Sequence, residues 1–243
     1  MKVKEFIAKL KDAESKKTLY VNGCFGAPLN SKNKTRYISN TSYNKQFART
    51  QKIMNASNDT FGFDCVCLIK GILWGWDGDL NKQYGGAVYK SNNVPDFSAT
   101  SAISYCTRSS NDFSGIVPGS LLWMTGHVGI YIGDGLAIEC TPSWNDGVQT
   151  TAVGNIGKKP GYNTRTWKMW GLLPWIDYTE EKLPDGVQLV KMEVKSPTVN
   201  GIVEVPAINL DGNWYVKLRA FNDVMGIAKV SYDEQKKIPK IID

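Results

Sequence analysis

The chain contains a single histidine, His127, in 243 residues. One imidazole cannot build a histidine-rich metal centre. None of the five cysteines (Cys24, Cys65, Cys67, Cys106, Cys140) stands in a Cys-x-x-Cys pair, so the spacing of a structural zinc site is missing and no metal or other cofactor is expected. No apolar run reaches the roughly 18 residues that span a bilayer. Residues 1–20 hold no secretory apolar segment, because Lys2, Lys4, Lys9, Lys11, Lys16 and Lys17 interrupt every candidate. The expectation is a protein made in a cytoplasm without a signal peptide, which would act outside only after release. A disulfide framework is then not expected, and the odd cysteine count leaves at least one free thiol in a monomer. Internal repeats and low-complexity tracts are also missing. With 42% hydrophobic and 21% charged residues, the composition excludes a disordered or collagen-like chain. The length suits one large domain, or a medium domain and a small one.

The net charge of +6 is uneven. Residues 1–52 carry 12 basic and 3 acidic side chains, whereas residues 181–243 carry nine of each. A basic face attracts polyanions, and by charge alone nucleic acid, anionic lipid and anionic bacterial wall polymers all qualify. A solvated, solubilising face accounts for the same numbers.

Val3, Phe6, Ile7 and Leu10 recur at helical spacing and predict a surface helix over 2–13. Residues 30–59, rich in Asn, Ser, Thr and Lys, read as a long polar insertion with helix over 43–54. The run from Cys65 to Trp76 is apolar nearly all round, which predicts a buried helix capped by Asp64. A further helix is expected over 97–107. From Pro118 the apolar period becomes two. Strands are expected over 120–124, 127–132 and 136–141, with Asp134-Gly135 as the hairpin turn, and more strand at 148–153 and 165–170. Residues 179–186 shift to charge, proline and glycine and read as a linker. Beyond it, strands are expected at 187–194, 202–205, 214–216 and 228–232, with a helix over 218–225.

A free thiol beside a lone imidazole is the combination that nucleophilic catalysis uses. A thiolate is stabilised at a helix N-terminus. Cys65 follows the cap directly, whereas Cys67 lies about 200° further round the helix and should point into the core. Across the expected hairpin, His127 and Glu139 fall near the same end of paired strands. A carboxylate there would orient the ring. Cys140 should face the other side. Asp64 reads first as a cap and second as a site residue. Trp144, in the loop after Glu139, is a candidate for the rim of a cleft.

Phe63-Asp64-Cys65-Val66-Cys67-Leu68 resembles the nucleophile motif of the NlpC-type cell-wall cysteine peptidases, which usually reads Asp-Cys-Ser-Gly-Leu. Gly126-His127-Val128-Gly129-Ile130-Tyr131-Ile132-Gly133 is similar to the histidine motif of that family, preceded by Pro118-Gly119-Ser120-Leu121. Glu139 stands where members more often carry His, Asn or Gln. Tyr20, in Tyr20-Val21-Asn22-Gly23, resembles the upstream tyrosine that lines the family's site. The resemblance covers most of residues 1–178 and looks closest to versions that act as endolysins in phages and prophages of Firmicutes. It implies an α+β, papain-like catalytic domain with Cys on a buried helix packed on a small antiparallel sheet. It also implies a site of Cys65, His127 and Glu139, with Tyr20, Asp64 and Trp144 toward the substrate and oxyanion. The implied activity is hydrolysis of amide bonds in peptidoglycan stem peptides, commonly between D-glutamate and a diamino acid. The expected partners are therefore peptidoglycan and anionic wall polymers, not nucleic acid.

The tail, through Val199-Asn200-Gly201, Asp211 to Arg219, Gly226 and Tyr232-Asp233, resembles the small α+β domain at the N-terminus of copper amine oxidases. Residues 187–243 would then be a wall-targeting or dimerising domain, without copper because the tail has no histidine. Three rivals stay open: an amidase that cuts between muramic acid and L-alanine with the same residues, a non-catalytic wall-binding or phage structural protein, and a thiol acyltransferase that acts on lipid.

Overall fold

Nine residues in a row from Cys65 to Leu73 are buried, and the rest of the fold is arranged to cover them. The computed structural model describes residues 1–179 throughout. Beyond them it describes the backbone of five strand segments. The chain divides into two units, Met1–Thr179 and Glu180–Asp243, and the architecture is mixed α+β.

In the first unit, α1 (Val3–Ser15) buries Phe6, Leu10 and Ala13 on one face, as the lysine-interrupted apolar spacing requires. β1 (Thr18–Tyr20), β2 (Phe25–Pro28) and β3 (Phe61–Phe63) form a small sheet in the order β1-β3-β2. Two helices, α2 (Ser31–Asn40) and α3 (Phe47–Asn55), fill the polar insertion between β2 and β3, where only 43–54 was expected to be helical. Chain direction then passes from β3 through Asp64 straight into α4 (Cys65–Leu73).

The insertion is anchored by buried polar pairs, which accounts for its composition. Asn44 is fully buried and exchanges hydrogen bonds with the Asn22 backbone while donating to Tyr37 O. Arg49 donates to Tyr20 O at 3.0 Å and to Asp146 Oδ1 at 2.7 Å.

The main sheet has seven strands: β4 (Arg108–Ser110), β5 (Leu121–Met124), β6 (His127–Gly133), β7 (Leu136–Thr141), β8 (Gly147–Val153), β9 (Thr164–Arg165) and β10 (Met169–Leu172). Their order is β4-β10-β5-β6-β7-β8-β9, antiparallel except for β8 with β9. The β6–β7 turn has Asp134 at φ 54° and Gly135 at φ 72°, both left-handed, as a two-residue hairpin of this sequence demands.

Alternation along the strands separates two cores. Val128, Ile130, Ile138, Cys140 and Val148 join the α1 and α4 side chains in one cluster. Tyr131, Ala137, Val153, Trp167 and Trp170 form another on the opposite face.

The helix expected over 97–107 is reduced to a single 3₁₀ turn, Ala102–Tyr105. The carbonyls a helix would need are taken elsewhere: Phe97 O by Lys70 Nζ, and Ala99 O and Thr100 O by Trp123 Nε1. No helix among the described residues is long and apolar enough to cross a membrane.

In the second unit, β11 (Val187–Ser196), β12 (Gly201–Leu210) and β13 (Asn213–Val216) form an antiparallel sheet, and β14 (Lys229–Asp233) pairs with β15 (Ile238–Ile242). Strand β15 was not foreseen. The helix expected over 218–225 and the linker residues 180–186 lie outside the described residues.

Candidate active site

Asp64 caps α4 as the sequence predicts. Its Oδ1 accepts the Cys67 N–H at 2.7 Å, and its Oδ2 accepts the Gly23 N–H at 2.7 Å. Both oxygens are therefore used structurally, and the second ties the β1–β2 loop to the helix start. Cys65 occupies the first helical position, where backbone N–H groups have no partner within the helix.

Burial pushes the Cys65 thiol up to about 12, and Asp64 adds to the rise. The N–H groups of Val128, Val66 and Cys65 itself pull the other way. The balance leaves a neutral S–H in this structure. Tyr20 reaches this spot through the parallel pairing of β1 with β3, which sets it opposite Phe63. Burial, with Cys65 and Asp64 nearby, raises its phenol above the usual range, so it remains an O–H donor.

On the sheet, β6 and β7 pair with Ile130 opposite Ile138, so His127 and Glu139 lie on one face along a diagonal. Nε2 of His127 is 2.6 Å from Oε2 of Glu139. Glu139 is fully buried. Besides the imidazole it accepts the Thr151 hydroxyl at 2.7 Å and the Arg165 Nε–H, 2.7 Å from Oε2 and 2.9 Å from Oε1. Burial pushes the Glu139 carboxyl up, but the hydrogen bonds from His127 and Arg165 outweigh it and hold the pKa below the usual carboxyl value. A carboxylate only accepts, so Nε2 carries the proton and Nδ1 is left as the basic nitrogen.

Trp167 stacks on the imidazole, with centroids 5.5 Å apart and planes 10° from parallel. Gly129 permits this. A Cβ there would lie 3.0 Å from Trp167 Cη2 and 3.3 Å from Glu139 Cβ, tight enough that the stacked ring would have to shift by a few tenths of an ångström.

The two halves meet through the backbone. His127 opens β6, and the N–H of the next residue, Val128, points at the Cys65 thiol. Among the described residues no hydrogen bond joins that sulfur to the imidazole. A cleft of about 530 Å³ opens over Cys65, with Tyr20, Asn22 and Asp64 on one side and Gly126, the residue before His127, among its lining.

Trp144 does not line this cleft. Its left-handed backbone, φ 57°, turns the half-exposed ring over the Arg165 guanidinium at 4.9 Å. Cys140 faces away from Glu139, donating to Phe63 O, as strand alternation requires. Cys67, expected to point into the core, packs there but also lines the cleft, as Cys65 does.

Sequence reasoning missed Arg165, Thr151 and Trp167, which hold the His127–Glu139 pair. It also missed Lys70 and Asp96, which form an ion pair further along the cleft. The period-two spacing of Gln149, Thr151 and Val153 along β8 was the available signal for Thr151. Arg165 ends the two-residue strand β9 and Trp167 lies in the irregular segment between β9 and β10, where no period marks a face.

This arrangement holds the imidazole against a buried carboxylate, with the Cys65 thiol near the N–H of the residue that follows it. No family model and no curated protein matches the chain.

Proposed function

We propose that this chain is a cysteine peptidase of papain-like architecture that cleaves amide bonds in peptidoglycan stem peptides, as a phage-type endolysin does. The observation that carries the reading is the fixed pair of the only imidazole with a buried carboxylate, set beside a helix-capped cysteine at the floor of a cleft. The combination of the two sequence motifs supports the wall substrate, with the D-glutamyl–diamino acid bond as the first candidate.

In this mechanism the Cys65 sulfur attacks the scissile carbonyl as its proton passes to Nδ1 of His127. The elevated thiol pKa favours this concerted transfer over a preformed ion pair. The oxyanion faces the unpaired N–H groups at the start of α4 and the Tyr20 hydroxyl. Glu139, ionised and held by Arg165 and Thr151, stabilises the imidazolium. The C–N bond breaks as His127 returns the proton to the leaving amine. Water then gives a proton to His127 and its oxygen to the thioester carbonyl, and the thiol is restored. The second unit would serve wall targeting or dimerisation, and the enzyme would reach the wall after release from the cell that makes it.

Purified sacculi digested with wild type, Cys65→Ala and His127→Ala test the reading, with folding checked by circular dichroism. Loss of lysis in both variants is expected, and full lysis by Cys65→Ala overturns it. Mass spectrometry of the fragments names the bond. A new N-terminal L-alanine would mean an amidase, and sedimentation with sacculi without cleavage would mean a binding protein.

A further inference from the structure

Two residues past Tyr20, the backbone is pinned on every side and one side chain is left to act. Asn22 stands in the turn Val21–Cys24, which the Cys24 N–H closes on Val21 O at 3.1 Å. Gly23 supplies the left-handed position of that turn, at φ 77°. The fully buried Asn44 clamps Asn22 twice: Oδ1 accepts its N–H at 3.0 Å, and Nδ2 donates to its carbonyl at 2.9 Å. The next N–H, of Gly23, goes to Asp64 Oδ2. Asn22 lines the cleft together with Tyr20 and Cys65.

Tyr20 is held as firmly in all but its hydroxyl. Its N–H donates to Asp146 O and its carbonyl accepts from Arg49 Nη1, both at 3.0 Å. Its ring meets Tyr43 edge-on at 5.7 Å and lies under the Arg49 guanidinium, also at 5.7 Å. Tyr43, Asn44 and Arg49 all belong to the insertion between β2 and β3, so the insertion builds this wall of the cleft. What it leaves open is the torsion of the phenol O–H. The Asn22 amide reaches that hydroxyl: burial raises the phenol's pKa, and the amide pulls it the other way. A group that favours the phenolate donates to its oxygen, and the phenol's own proton is then left for another acceptor. Among the described residues no other group holds the Asn22 amide.

We infer that Asn22 is a positioning residue, whose amide N–H donates to Tyr20 Oη and so turns the phenol proton toward the oxyanion that forms over Cys65. The inference rests on the peptidase reading and adds to it the group that aims its side-chain donor. An O–H free to rotate points away from the developing charge for part of the time, whereas a donor already aimed there needs no reorganisation as the charge forms.

The test is steady-state cleavage of a synthetic stem peptide by the full-length wild type, Tyr20→Phe, Asn22→Ala, Asn22→Asp and the two double variants. Asn22→Ala releases the hydroxyl. Asn22→Asp keeps the shape but offers only acceptors, so it takes the phenol proton for itself. Each should lower kcat about tenfold, with KM within about twofold of wild type because Asn22 does not hold the substrate. In the Tyr20→Phe background neither should lower kcat further. The urea midpoint should stay unchanged, since the Asn44 clamp uses only the backbone of Asn22. A wild-type kcat in Asn22→Asp or in Tyr20→Phe overturns the inference. So does a kcat loss that persists in the Tyr20→Phe background, or a rise in KM in its place. Where Asn22→Ala fails to fold, the isosteric Asn22→Asp decides. Failure of the peptidase reading shows separately, as intact sacculi with wild type.

Discussion

His127 and Glu139 meet diagonally across the β6–β7 pair, with Nε2 2.6 Å from Oε2, and the carboxylate is sealed from solvent. A buried anion of this kind persists only because every side is answered: imidazole, guanidinium and hydroxyl each donate to it. The ring is thereby fixed in one tautomer, with the proton on Nε2.

Replacing that carboxylate by an amide removes the charge and keeps the shape. Glu139→Gln should lower kcat about tenfold or more, equivalent to about 1.4 kcal/mol of transition-state stabilisation. Its stability should also respond differently to acid. The folded-state pKa of Glu139 lies below its unfolded value. Its contribution is therefore present above the unfolded carboxyl value, about 4.3, and is lost as pH falls through the folded value. Urea denaturation over a pH series should show wild type more stable than Glu139→Gln near neutrality, with the gap narrowing in that acid window. A gap that stays constant with pH contradicts the assignment.

The Cys65 thiol, pushed up to about 12, is a neutral S–H without substrate. Alkylation by iodoacetamide, followed at Cys65 by peptide mapping, should rise about tenfold per pH unit between about pH 6 and 8, since only the thiolate reacts. A rate that levels off in that interval would mean a preformed thiolate–imidazolium pair and would replace the concerted transfer.

The ion pair of Arg49 with Asp146, 2.7 Å apart, has side chains only 8% and 12% exposed and links α3 to the β7–β8 loop. Arg49→Met leaves Asp146 with Lys52 alone. Removal of one member of a buried pair costs about 3 kcal/mol, read as a lower urea midpoint. The same arginine donates to Tyr20 O, so KM should rise as Tyr20 loosens. An unchanged midpoint would show that the insertion is held by other contacts.

Local pattern was a good guide where one residue type had one physical use. Asp64 before an apolar run reads first as a cap, and its carboxylate accepts the Cys67 N–H. Asp134-Gly135 set the hairpin register, and with it the diagonal approach of His127 to Glu139. The helix expected over 97–107 failed because Lys70 and Trp123, distant in sequence, claim its carbonyls. Trp144 was expected at the cleft and lies on Arg165 instead, since loop backbone with positive φ gives no periodic signal of direction.

The sequence by itself determined the short-range chemistry: a capped helix that begins with a thiol, and a hairpin that carries a base and a carboxylate. These follow from caps, turns and alternation, which act over a few residues. Tertiary structure alone decided which distant groups surround them. Parallel pairing of β1 with β3 brought Tyr20 to Cys65, the sheet edge supplied Arg165 to Glu139, and a loop carbonyl and Asp96 received Lys70. Such contacts depend on how packed elements align in space, and burial then makes each unpaired charge or donor too costly to leave without its partner.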